Sequence, residues 1–133
     1  MKYRQLDFNE ALKVTIEEME MNLQLLVEKL LLEYKLIFEK KNFDFDAGFE
    51  REGSNPFTPG YHSSVSIGIA DQSGELIDLH IVKIWECERY FLGMPISRNI
   101  LGSKVIGELL DESLEEVKME LQEYIEEALL DDD

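Results

Sequence analysis

The run YHSSVSIGIADQSGELIDLHIVKIWE, residues 61–86, carries two blocks of alternating, β-branched-rich sequence around a turn. Residues 61–70 and 75–86 suit strands. The intervening ADQSGE supplies the Asp, Ser and Gly that a tight connection needs, so the pair is expected as an antiparallel hairpin. Working outward, NFDFDAGFE at 42–50 alternates Phe43, Phe45, Ala47 and Phe49 with Asp44, Asp46, Gly48 and Glu50, a half-buried strand with its acids outward. Between them, REGSNPFTPG at 51–60 holds two prolines and two glycines and is read as a loop. On the other side ERYFLGM suits a fourth strand. Pro95 interrupts it, and 97–112 stays open between loop, short strand and helix.

Alternation also assigns faces. If Asp71 pairs with Gly74 across the turn, His80 falls opposite Val65 and Asp78 opposite Ile67. Asp78, His80 and Glu86 then share one face, while Trp85 and Cys87 join Lys83 on the other. On that second face Ile77, Leu79 and Ile81 stand near Ser64, Ser66 and Gly68. Large residues beside small ones make a trough into which a helix can settle, so both faces of this strand are expected to be covered.

Two helices bracket the strands. Residues 9–41 read as one long helix, capped by Asp7 or Asn9 and closed by Lys40 and Lys41. At about 100° per residue, Leu12, Ile16, Met19, Leu23, Leu26, Leu30, Tyr34 and Ile37 form one apolar stripe. Val14, Met21, Leu25, Leu32 and Leu36 form a second on nearly the opposite side. That second stripe is expected to receive either the C-terminal helix of the same chain or a symmetry mate. The C-terminal helix begins at the capping box Ser113-Leu-Glu-Glu116, with Leu114, Val117, Leu121, Tyr124, Ile125 and Ala128 along one side. The whole is an α+β fold: long N-terminal helix, antiparallel β-meander of three to four strands, and acidic C-terminal helix, in one domain over 1–133.

Charge is the chain's least ordinary property. Its 29 acids and 13 bases leave −16. Residues 108–133 hold twelve acids and one base, Lys118, and so account for −11 of that total. Direct binding of nucleic acid is excluded on this reading, since phosphate contacts want clustered Lys and Arg. A lone cysteine rules out an internal disulfide. No stretch approaches a membrane span, and the opening residues lack the apolar run of a signal peptide, so a cytoplasmic location is expected.

Three groups of residues are candidate sites. Glu112, Glu116, Glu120, Glu123 and Glu127 repeat along one side of the last helix and offer a negative surface for a basic protein, the alternative being a merely solvated face. Asn55, Phe57 and Tyr61 mark a candidate binding loop. Asp78, His80 and Glu86 could orient an imidazole for acid–base work or hold a small ligand, yet no nucleophile motif accompanies them, and no catalytic residue is assigned. Asp44-x-Asp46 is too small a set for a metal centre, and neither metal nor cofactor is expected.

The favoured function is therefore a small acidic protein that docks a basic partner through its C-terminal helix. In size, acidity and α+β build alone it is similar to the immunity proteins of bacterial toxin systems and to phage-encoded inhibitors. A homodimeric adaptor or structural module is the alternative. A small-ligand binder or enzyme using Asp78, His80 and Glu86 is the second.

Overall fold

In the computed structural model, which describes residues 1–131, the order is β1 (Lys2–Arg4), a 3₁₀ turn (Gln5–Asp7), α1 (Glu10–Lys40), β2 (Asp44–Glu52), β3 (His62–Ala70), β4 (Leu76–Phe91), β5 (Met94–Ile96), β6 (Lys104–Leu109) and α2 (Leu114–Asp131). This is the expected α+β arrangement, with a larger sheet. The strands pair antiparallel in the order β1-β6-β4-β3-β2, and β5 folds back onto the end of β4. The strands not expected from the sequence are the short β1 and β5, together with β6, and β4 is longer than expected. β4 continues unbroken from the hairpin through Phe91, and the ambiguous 97–112 region supplies β6.

α1 starts where Asn9 Oδ1 accepts the Leu12 N–H at 2.9 Å. It ends in a Schellman arrangement: Phe43 N–H donates to Phe38 C=O at 2.9 Å and Asn42 N–H to Glu39 C=O at 3.0 Å, with Asn42 left-handed at φ 68°. Leu12, Ile16, Leu23, Leu26 and Leu30 of the first stripe are buried, joined by Val27 and Phe38, whereas Ile37 is exposed. α2 opens on the capping box, with Ser113 Oγ accepting from Glu116 N–H at 3.2 Å and Glu116 Oε1 from Ser113 N–H at 3.3 Å.

Both helices lie on one face of the sheet. Val117, Leu121 and Ile125 of α2 pack with Leu23, Leu26 and Leu30 of α1 over Phe45, Val65, Ile67, Val82 and Ile84. A second cluster joins Leu12 and Ile16 to Tyr61, Trp85, Cys87, Val105 and Leu109. This arrangement corrects two expectations. α2 sits beside α1 against the first stripe, so it does not cover Val14, Met21, Leu25, Leu32 and Leu36, all of which remain exposed. Among the described residues no helix covers the opposite face of the sheet, so Ile77, Leu79 and Ile81 are exposed as well.

The hairpin register differs by two residues. His80 lies opposite Ile67 and Asp78 opposite Ile69, because Asp71 N–H bonds Glu75 C=O and an irregularity follows between Ile69 and Ala70. An even shift preserves the faces. The second irregularity does not. Ser64 faces Lys83 and Ser63 faces Trp85, leaving Ile84 as the extra residue of a β-bulge. Ile84 and Trp85 are consequently both buried, and alternation reverses from there onward.

Candidate functional site: an uncovered trough on the sheet

Because of the bulge, Asp78, His80 and Glu86 do not form one constellation. His80 faces the helices, while Glu86 faces away from them, lies 3.6 Å from Lys83 and borders another hollow. Cys87 returns to the face of His80, but seven residues of strand separate the two by about 23 Å. The Cys87 thiol is fully buried, and desolvation, with Glu88 nearby, pushes its pKa up to about 11, the opposite of an activated nucleophile.

His80 instead anchors α2. Its Nε2 lies 2.9 Å from Glu120 Oε2, and its ring stacks on Tyr124 at 4.8 Å between centroids. Burial and the neighbouring Asp78 carboxylate raise the Tyr124 hydroxyl pKa well above the ordinary tyrosine value. Glu112 is drawn into the same group: its carboxyl pKa is raised first by desolvation and then by Glu120 and Glu116, with His80 opposing. Of the five glutamates marked on α2 and its approach, Glu112 and Glu120 are thus half-buried against the sheet. Glu116, Glu123 and Glu127 face solvent, and none of these three has an ion-pair partner among the described residues.

The loop 53–61 is a cover for the core. Asn55 Oδ1 accepts from Phe57 N–H at 3.0 Å and closes a local turn. Phe57 stacks on Phe8 at 4.6 Å and meets the edge of Trp85, whose Nε1–H donates to Pro56 C=O at 2.6 Å. Tyr61, expected as an exposed neighbour of this loop, is buried: its hydroxyl donates to the buried Glu20 Oε2 at 2.6 Å. Glu20 breaks the polar pattern of α1 for that reason, and it escaped the sequence reading because its partner is forty-one residues away.

The face without helices holds the most distinctive surface. Leu76, Ile77, Leu79 and Ile81 on β4 are each 47–57% exposed. Beside them Gly68, Ser66 and Gly48 of β3 and β2 form a low floor, and the Leu76 and Leu79 methyl groups lean toward Gly68. Asp44, Asp46 and Glu50 of β2 make the far wall of this hollow of about 390 Å³. The trough anticipated from the spacing of large and small residues therefore exists, with one aliphatic wall and one acidic wall. Nothing of the chain's own occupies it among the described residues. Asp44 and Asp46 are part of that wall, and no third ligand joins them into a metal-binding group among the described residues. A second hollow, of about 540 Å³, lies beyond it, where Glu86, Glu88 and Glu108 surround Tyr90 together with Lys2 and Lys104. Burial and those three carboxylates raise the Tyr90 pKa.

The chain matches no protein-family model, no curated protein and no solved structure in comparisons with known proteins. Among the described residues no helix is long and apolar enough to cross a membrane.

Proposed function

We propose that this is a protein-binding module of the inhibitor or immunity type, working in the cytoplasm, whose partner is a basic protein received in the sheet trough. One observation carries this reading: Leu76 and Leu79 on one side and three carboxylates on the other line a single uncovered hollow, with Ile77 and Ile81 exposed on the same strand. Contiguous exposed apolar surface rimmed by polar groups is typical of protein-docking sites. An amphipathic segment with an aliphatic edge and a row of Lys or Arg would satisfy both walls at once. The free acids of α2, on the other side of the molecule, then contribute at long range. They raise the encounter rate with a cationic partner, and salt weakens that effect.

The test is affinity capture from the native host, at low and high salt, with wild type and two sets of variants. Gly48→Val combined with Leu79→Ser narrows the trough and removes part of its aliphatic wall. A Cβ at position 48 meets nothing within 4 Å, so the fold tolerates the first change. Capture of a basic protein by wild type, abolished in this double variant, is expected. The triple variant Glu116→Gln, Glu123→Gln, Glu127→Gln should slow association while leaving dissociation unchanged. If captured proteins are indifferent to the trough substitutions, the reading fails.

A further inference from the structure

We propose that the protein forms a two-fold homodimer in which the outer stripe of α1 packs antiparallel against the same stripe of a second copy. Val14, Met21, Leu25, Leu32 and Leu36 are exposed, from 42% at Val14 to 83% at Leu32. Val14, Leu25 and Leu36 recur every eleven residues, as do Met21 and Leu32. Eleven residues make three turns at about 3.67 per turn, near the helical 3.6, so the stripe runs straight along the helix. Glu18 and Lys29 fall within the same stripe, both exposed, and neither has an ion-pair partner among the described residues.

The order of four of these residues is self-complementary, with Leu36 falling opposite Glu10 at the helix end. In a single antiparallel register, position 14 faces 32 and position 21 faces 25. Val14 therefore meets Leu32 of the second copy, and Met21 meets its Leu25, each contact occurring twice. The same register brings Glu18 within one residue of Lys29 of the second copy, again twice. A two-fold axis between antiparallel helices keeps lateral positions on the same side. At about 100° per residue, Glu18 and Lys29 lie on the same flank of the stripe, so the opposite charges meet.

Charge selects a second copy over a cationic partner here. Lys13, Lys29 and Lys35 alternate with Glu17, Glu18, Glu28 and Glu33 along this side of α1, whereas Lys118 is the only base in α2. On the other rim Glu17 approaches Glu28 of the second copy, and each chain carries −16. The long-range repulsion between the two net charges is largely screened at physiological ionic strength, where the Debye length is about 8 Å, while the Glu17–Glu28 contact opposes the Glu18–Lys29 pair at similar range. The inference is independent of the trough, which lies on the sheet face turned away from α1.

Light scattering at physiological ionic strength should give twice the 15.5 kDa chain mass. A one-chain mass at every concentration overturns the proposal. Glu18→Lys should weaken the dimer roughly tenfold or more, and adding Lys29→Glu should restore it. An unchanged dissociation constant in the single variant overturns the register. Under mild oxidation, a mixture of Val14→Cys and Leu32→Cys chains should give a cross-linked pair, while neither variant alone does. Cross-linking within Val14→Cys alone would mark a parallel pair and overturn the proposal. These positions are exposed and Cys87 is buried, so neither misfolding nor the native thiol confuses the readout.

Discussion

Gly107 lies on β6 beneath the indole of Trp85, and a Cβ built there would overlap the benzo ring. Trp85 cannot move aside freely, because its Nε1–H holds Pro56 and its ring meets Phe8 and Phe57. Gly107→Ala should therefore cost about 2–3 kcal/mol, at the upper end for overpacking in a dense core. Urea unfolding followed through Trp85 fluorescence will read it, and an unshifted midpoint would contradict this packing. Cys87, across the ladder from Gly107, makes a pH prediction. Its pKa rises from 9.0 in the unfolded chain to about 11 in the fold, so the folded state holds the proton longer. The resulting stability is fully present below pH 9 and is lost as pH climbs toward 11. Linkage puts the loss at about 2–3 kcal/mol, and Cys87→Ala should remove that component of the alkaline slope. Glu112 titrates in the acid range with the same sign. Its raised pKa means its ionised form is disfavoured in the fold, so Glu112→Gln should stabilise at neutral pH, with the gain fading as pH falls through the carboxylate range.

The β4–β5 connection shows what an element tolerates when a local rule is broken. Phe91 pairs with Met94 across only Leu92 and Gly93, both at positive φ, 52° and 80°. A two-residue turn with this sign pattern favours Asn-Gly, and a leucine pays for the conformation while 87% exposed. Leu92→Asn should raise stability by about 0.5–1 kcal/mol, seen as a higher thermal midpoint; a lower one would mean that Leu92 packs elsewhere. Elements of this kind explain how much was legible beforehand. α1, its Asn9 cap, the 61–86 hairpin and the Ser113 box were all written in periodicity and turn chemistry. The bulge at Ile84 was not, since one inserted residue leaves no periodic trace, and it alone separates Glu86 from His80. Sequence alone does not decide β6 among loop, strand and helix, because KVIGEL is short and becomes a strand by pairing with the far end of β4. The trough was legible in its large and small residues, but its lack of a covering helix was not, because a face suited to a helix looks the same in sequence whether one arrives or not.

At the scale of the whole molecule, the two uncovered apolar surfaces lie on opposite sides and differ in charge. The α1 stripe is flanked by both signs, while the trough has an acidic wall, and α2 adds unpaired carboxylates. Excess negative charge destabilises the compact state through self-repulsion but attracts a cationic partner, so stability and binding should respond oppositely to its removal. Glu123 allows the test, because it is exposed, has no ion-pair partner among the described residues and stands four residues before Glu127. Glu123→Lys converts a repulsive pair into an attractive one, a change of about 0.5–1 kcal/mol from the two pair energies. At low ionic strength the variant should unfold at higher urea than wild type yet associate more slowly with a basic protein partner. Both differences should shrink together as salt is raised, since both are screened by the same ions. A stability gain that persists in high salt would assign the effect to helix propensity or packing. An association rate equal to that of wild type at low salt would remove α2 from the encounter and leave the trough to act alone.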